Sequence, residues 1–572
     1  MKRFSILLLV LVVALAVAPF SALAQDPGTG GPILEGQPGL ENIGSFNPLR
    51  CSGTDCQRIY QFANPTVIGI DPATAEFVGG APGALAESWE YNEDGTQLTI
   101  VLRQDPVWSD GEAITSEDVK FTYEAIKSGV IESDLTGYID SIITAVEIVD
   151  DYTVIFSFAE ADCTALNVVG YPVIPAHVFG FDGDYAAFDY TVLVGHPYDT
   201  EPTVSAGPFV WASSVPGQQI NMAANQSYID APESGIIPAG YAAVSTDDFN
   251  VQLDRFLAGE LNFMASVPLP RMQEVRDSGN QYFDFPANAY TYLGLNLADP
   301  ANPVSALDEA GNLVEQAPHP IFGDVRVRQA LAYAIDTQSI VNGVLNGEGS
   351  QIFGTEIPTS WAVSPDLAPY PFDLAQAEAL LTEAGWVLNA DGVRVCDGCL
   401  YAEAGAPFSF TLITNDSNPT RVDIGVLIQD QLRELGIEVD FQPQDFNTVV
   451  ESITGQTHDA FILGWSLSFP SNPDQTQIFG AAADAVGSGF NTGSWINEEY
   501  IALNEEARVL PGCDQAARAE IYHRMQEIVY EEQPYVFLYA PNDMYAALPS
   551  VDGFGPYPVQ PFWNVETWEI SQ

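Results

Sequence analysis

The clearest periodicity in the chain lies in its last third. Residues 408–414 (FSFTLIT) have the aromatic and β-branched content of a strand. Ile424, Leu427, Ile428, Leu432 and Leu435 then fall at i, i+3, i+4, i+8 and i+11, one face of a helix that Gly436 ends. Ile437, Val439 and Phe441 alternate as in a half-buried strand. Residues 446–453 fit a second helix and residues 460–465 (AFILGW) a third strand. This strand-helix-strand-helix-strand order predicts right-handed crossovers onto a largely parallel sheet. Ligands of such sheets sit beyond the carboxyl ends of the strands. That rule marks Asn415-Asp416 and Gly464-Trp465-Ser466.

Before this unit, Asp373 and Gln376 form a capping pair for a helix lined by Ala377, Leu380 and Leu381 and stopped by Gly385. After it come an amphipathic helix (518–530) and a buried-type strand (535–540). The first third reads as short strands around turns: 98–102, and a pair at 146–148 and 153–158 flanking Asp150-Asp151. Residues 225–240 read as loop. Thr115 followed by Asp118 has the spacing of a capping box ahead of the helical positions Val119, Tyr123 and Ile126. Capping accounts for this acid-rich stretch without catalysis.

The start of the chain changes the picture. MKRF, an apolar run over 6–18 and Ala22-Leu23-Ala24 describe a secretory signal peptide over 1–24. At about 1.5 Å per residue the run reaches about 20 Å, short of the roughly 30 Å of a bilayer core. No cysteine stands at the cleavage point, so a lipid anchor is not expected. The mature chain is read as soluble, periplasmic or secreted and cell-surface associated. A Gly- and Pro-rich stretch over 25–40 reads as a flexible leader. The remaining length accommodates two or three domains.

Charge excludes several partners. Seventy-seven acidic residues face eighteen basic ones, a net charge of −59, which repels nucleic acid and anionic lipid. Hydrophobic content of 47% argues against disorder. An acidic, well-hydrated shell suits salty surroundings.

Six cysteines in an exported chain permit disulfides. Cys51 and Cys56 can close a small loop. Cys396 and Cys399 read as a bridge at a hairpin tip, leaving Cys163 and Cys513 unassigned. No second C-x-x-C or H-x₃-H supports a zinc site, and no cofactor is expected. There is no G-x-S-x-G, the five histidines are scattered, and this many acids form carboxylate pairs at every spacing. Asp182-Gly183-Asp184 lacks the rest of a calcium loop. Several lobes, with tryptophan and amide side chains at strand ends and no catalytic constellation, describe a receptor for a small solute.

Ordered motifs carry a resemblance. SFNPLR, ALAESWEYNEDGTQLTIVLRQDPVWSDGEAITSEDVKFTYEAI, VIPAHVF, VSAGPF, NQSYID, FLAGELNF, DVRVRQALAYAID, Ala384-Gly385-Trp386 and Phe562-Trp563-Asn564 run from about residue 46 to 570. Together they resemble solute-binding protein family 5 of ABC importers, which includes oligopeptide-, dipeptide- and nickel-binding proteins. The resemblance implies an α/β, two-lobed, type II periplasmic-binding-protein-like fold with an additional inserted domain. It implies domain I from 41–87, 203–297 and 535–572, domain II from 88–202, and domain III, the α/β ligand-binding lobe, from 298–534. It further implies a non-enzymatic receptor, expected as a monomer, that captures a peptide or peptide-like solute and delivers it to an ABC permease in the membrane.

In peptide-binding members the Gly-Trp strand pairs with the peptide backbone, and an acid three residues after the Trp holds the amino terminus. Here Gly464-Trp465 is followed by Ser468, and Ile462 stands where some members have an arginine. An oligosaccharide stacked on Trp465 and Trp495 is therefore an alternative ligand, with Asp474 as a substitute charge. A secreted hydrolase is the alternative outside the family. The expected ligand contacts are Trp465 as a wall, Gly464, Ser466, Ser468 and Asn415, with Phe62 and Asn64 from the facing lobe, and Trp495.

Overall fold

The computed structural model describes residues 30–37, 40, 43–51, 54–131, 139, 142–246 and 248–571. The expected signal peptide lies outside them. No helix among the described residues is long and apolar enough to cross a membrane.

A mixed sheet of twelve strands runs through the molecule. Its strands in chain order are β1 (Ile33–Gln37), β2 (Phe209–Val215), β3 (Gln219–Ala224), β4 (Gly240–Ser245), β5 (Phe263–Met264), β6 (Gln281–Pro286), β7 (Ala289–Leu295), β8 (Gly349–Ser350), β9 (Ser409–Asn415), β10 (Glu438–Gln444), β11 (Ala460–Ser466) and β12 (Tyr535–Ala547). The spatial order is β10-β9-β11-β7-β12-β5-β1-β4-β3-β2, with β6 and β8 also pairing β12.

The strand-helix-strand unit forms where the periodicity places it. Helix α2 (Pro419–Glu434), numbered after α1 (Ser116–Lys127), buries Ile424, Ile428 and Leu432, and Gly436 follows it with φ +76°. Strand β9 is parallel to both β10 and β11, but β7 and β12 join antiparallel. The sheet is thus parallel across β10-β9-β11 and again where β1 lies between β4 and β5, and mixed elsewhere. The reason is topological: β7 and β12 enter from another body, which a crossover pattern within residues 408–465 does not reveal.

Strand β12 is more than twice its expected length because it serves two bodies. Its first half pairs β7 and its second half pairs β6. Leu293, Leu295, Val536 and Leu538 pack into the core around α2. Phe285 and Tyr545 pack into the core built on β1 to β5. The packing therefore changes between Pro286 and Ala289 and again between Ala540 and Asn542, where Ala287 N donates to Pro541 O at 2.9 Å. Two adjacent, hydrogen-bonded chain crossings of this kind can act as a hinge.

The third core belongs to a four-stranded antiparallel sheet ordered Ala86–Tyr91, Gln97–Leu102, Thr153–Phe158, Ile143–Asp150, with α1 against it. At the start of α1, Thr115 Oγ1 accepts from Glu117 N, and Asp118 Oδ2 accepts from Thr115 N at 3.1 Å, a closed capping box. Asp118 Oδ1 also accepts from Ala176 N, so this carboxyl fastens the helix to a turn 58 residues further along the chain. Its burial pushes its pKa up to about 6.

The stretch read as a flexible leader supplies β1, which lies between β4 and β5. Buried Glu35 accepts a 2.5 Å hydrogen bond from Tyr241, and a Cβ on Gly36 would stand 2.9 Å from Leu261 Cδ1. Gly and Pro density signals a loop, but the partners that make this segment a strand lie some two hundred residues away.

Three disulfides close: Cys51–Cys56, Cys396–Cys399 and Cys163–Cys513. Residues 389–393 form the hairpin tip between Trp386–Leu388 and Arg394–Cys396, so Cys396 and Cys399 stand at the hairpin's base beside Gly385. Cys163 and Cys513 join the four-stranded body to the α/β body. Around them Arg508 pairs with Glu160 and Asp162, both at 2.6 Å, and Arg508 O accepts from Cys163 N. These residues border a cavity of about 250 Å³ at the seam.

Candidate ligand-binding site

The carboxyl ends of β9 and β11 diverge. Strand β11 pairs β7 along its whole length, from Ala460↔Leu295 to Ser466↔Ala289. On its other side it meets β9 only at Leu412↔Ala460 and Ile413↔Phe461. Beyond that point the Thr414 hydroxyl donates to Ile462 O at 2.8 Å. From Leu463 to Ser466 this edge of β11 has no strand partner among the described residues. An unpaired edge presents backbone N–H and C=O groups that an extended chain can complete.

Several side chains shape the opening. Asn415, at the end of β9, donates through Nδ2 to Ser417 Oγ at 2.9 Å, and its Oδ1 accepts from Arg421 Nη1 at 2.9 Å. Arg421 stands in the first turn of α2, so its guanidinium lies across the wedge between the strands. A Cβ on Gly464 would stand 3.1 Å from Arg421 Nη2 and 2.8 Å from Tyr290 O. Glycine at 464 keeps that space open.

Trp465 is half-buried. Its ring lies nearly parallel to that of Tyr292, 6.3 Å away, and edge-on to Phe490 at 5.3 Å. Trp465 Nε1 is sealed from solvent and interacts with the Tyr535 side chain, so the indole turns apolar surface, and not its donor, to the opening. Ser466 and Ser468 are exposed. Asn288, beside the chain crossing, donates to Leu467 O and Ser468 O at 2.8 and 2.7 Å and fixes the strand's exit. The loop then reaches the other lobe, where Pro470 O accepts from Asn167 Nδ2 at 3.2 Å. The end of β11 therefore lies at the boundary between the bodies.

Three of the expected contacts are committed elsewhere. Phe62 is 3% exposed and packs against Phe209, Tyr241 and Phe562. Asn64, 5% exposed, donates to Val173 O and Tyr198 OH. Trp495, 3% exposed, donates to Glu532 Oε2 and stacks edge-on with Phe479. They hold the protein interior, a role set by tertiary packing that a linear reading cannot see. Asp474 is held by Asn504 and by Thr476, and it borders the seam cavity beside Arg508. Arg421, absent from the sequence-level site, left one signal: it is the only base between Arg394 and Arg433, just after a strand end.

Comparison with known proteins agrees with this architecture. The chain is 28% identical over 567 residues to the oligopeptide-binding protein AppA of Bacillus subtilis (strain 168), covering 96% of this chain and 93% of that protein. The structure of AppA from Bacillus subtilis in complex with a nonapeptide superposes with a TM-score of 0.73 at 27% identity, over 96% of this chain and all of the other. NikZ from Campylobacter jejuni, solved in complex with Ni(L-His), shares the fold with a TM-score of 0.74 at 20% identity, over 95% of this chain and 99% of that one. The model of bacterial extracellular solute-binding proteins, family 5 Middle, matches residues 81–486. With most of its length matched, the chain belongs to the family 5 bacterial extracellular solute-binding proteins.

Proposed function

We propose that this protein is the extracytoplasmic receptor of an ABC importer for peptides. It binds the peptide extended along the open edge of β11, encloses it by hinge closure between the two lobes and passes it unaltered to a membrane permease. The carrying observation is the edge from Leu463 to Ser466, which lacks a strand partner among the described residues at the lobe boundary. Main-chain pairing along such an edge gives affinity whatever the side chains, as a receptor for varied peptides requires. Gly464 leaves the approach clear, and Trp465 lines it with apolar surface.

Closure is a population shift, because the ligand meets both lobes only in the closed form. An oligosaccharide would use the rings of Trp465 and Phe490 but has no backbone to complete a strand edge, so the peptide is the better fit. Turnover is not part of the role: the solute leaves as it entered.

Calorimetry with mixed peptides, followed by mass spectrometry of what is released, tests this. Trp465→Ala is expected to weaken binding about tenfold, the order expected for loss of one buried aromatic contact, with the fold kept. Unchanged affinity would remove the indole from the site, and a peptide returned cleaved would overturn the receptor reading.

A further inference from the structure

In a chain with 77 acids and 18 bases, an arginine that has found no carboxylate calls for a cause. Arg421 has none within 4.0 Å among the described residues, whereas Arg103, Arg276 and Arg508 are each ion-paired. Two other arginines lack a carboxylate but have used their donors. Arg328 donates to the carbonyls of Phe322, Gly323 and Glu532. Arg518 donates to Ala507 O and lies over Trp361. A guanidinium has five N–H donors, and that of Arg421 makes one hydrogen bond among the described residues, to Asn415 Oδ1.

The unused donors are accessible. Arg421 is only partly exposed, yet none of its nitrogens belongs to the sealed polar atoms without a partner. They face the wedge between β9 and β11, beside the position that Gly464 leaves empty. Partial burial disfavours the charged form and lowers this guanidinium's pKa, while Tyr539 and Tyr292 oppose that effect. A half-desolvated cation with free donors is what an incoming anion completes, through a charge-assisted and bidentate pair.

We propose that Arg421 is the anion anchor of this site and pairs with a carboxylate of the bound peptide, so that the receptor selects peptides presenting a negative group next to the open edge of β11. The inference rests on the peptide reading above. The carboxylate is either the peptide's free C-terminus or an Asp or Glu side chain. Because the rest of the surface is acidic, an anionic peptide gains nothing from long-range attraction. Its selection depends on this short-range contact.

The test is affinity selection by the full-length chain from a mixed-sequence pool of peptides of two to nine residues, half with free and half with amidated C-termini, read by mass spectrometry. The parent is expected to enrich free acids over amides, or Asp- and Glu-containing peptides over their Asn and Gln counterparts, by about tenfold or more. Which of the two is enriched identifies the source of the carboxylate. Arg421→Gln should still capture peptides but lose the enrichment, and Arg421→Lys should keep part of it. A merely structural arginine would not change the charge preference of the captured peptides. Equal capture of charged and neutralised peptides by the parent, or full enrichment by the folded Gln variant, overturns the assignment and leaves peptide binding standing. Capture of no peptide by the parent overturns both.

Discussion

Removing the Cys163–Cys513 bond should destabilise both lobes at once. The two residues are 350 positions apart and belong to bodies with separate cores. Constraining a loop of that length in the unfolded chain corresponds to about 6 kcal/mol on the chain-entropy model, against about 2 kcal/mol for the five-residue separation of Cys51–Cys56. The bond also holds the seam where Arg508 meets Glu160 and Asp162. The perturbation is the double variant Cys163→Ser/Cys513→Ser, compared with Cys51→Ser/Cys56→Ser. Guanidinium unfolding, followed by tryptophan fluorescence and by circular dichroism, reads the midpoints. The inter-lobe variant is expected to move every transition to lower denaturant, by several times the shift of the small-loop variant. Parental midpoints in the inter-lobe variant, or an equal shift in both variants, would refute the reasoning.

Two further outcomes follow from burial and charge. Glu356 is buried beside Ser360 and Thr355, and desolvation pushes its pKa from 4.5 up to about 7. The folded state then keeps a proton that the unfolded chain releases, so stability falls as pH rises from about 4.5 to about 7, by on the order of 3 kcal/mol. Asp118 and Glu566 are raised in the same direction. Glu356→Gln should therefore melt higher than the parent at pH 8 and differ little from it at pH 4; an unchanged difference in melting temperature across that range would contradict this. The net charge of −59 should make the melting temperature rise by several degrees between low salt and 1 M salt, where the screening length falls to about 3 Å. A flat or falling melting temperature would show that self-repulsion is not a limiting term.

What could be read from the chain was local. The Thr115–Asp118 cap, the apolar face of α2 and its stop at Gly436 each depend on residues within a few turns of one another, and the structure forms them there. The strand ends at Asn415 and Trp465 were legible for the same reason, since the crossover pattern fixes which ends lie together. Contacts between bodies were not legible. The Cys163–Cys513 bond, β1 inside the sheet and the second half of β12 all require partners brought in by the docking of separate cores. The sequence does not separate Phe62, Asn64 and Trp495 from ligand contacts, because an aromatic or an amide has the same letter in a cleft and in a core. Arg421 is illegible for the opposite reason: what sets it apart is the carboxylate it lacks among the described residues, which only three-dimensional neighbours reveal.

The most direct test is amide hydrogen exchange across β11 in the full-length chain, with and without a saturating mixed-sequence peptide pool. The amides of Gly464 and Ser466, which point away from β7, should slow by tenfold or more when peptide is added, because a bound chain completes the free edge. Exchange at these amides that is the same with and without a peptide shown to bind would contradict strand addition at β11 as the basis of recognition.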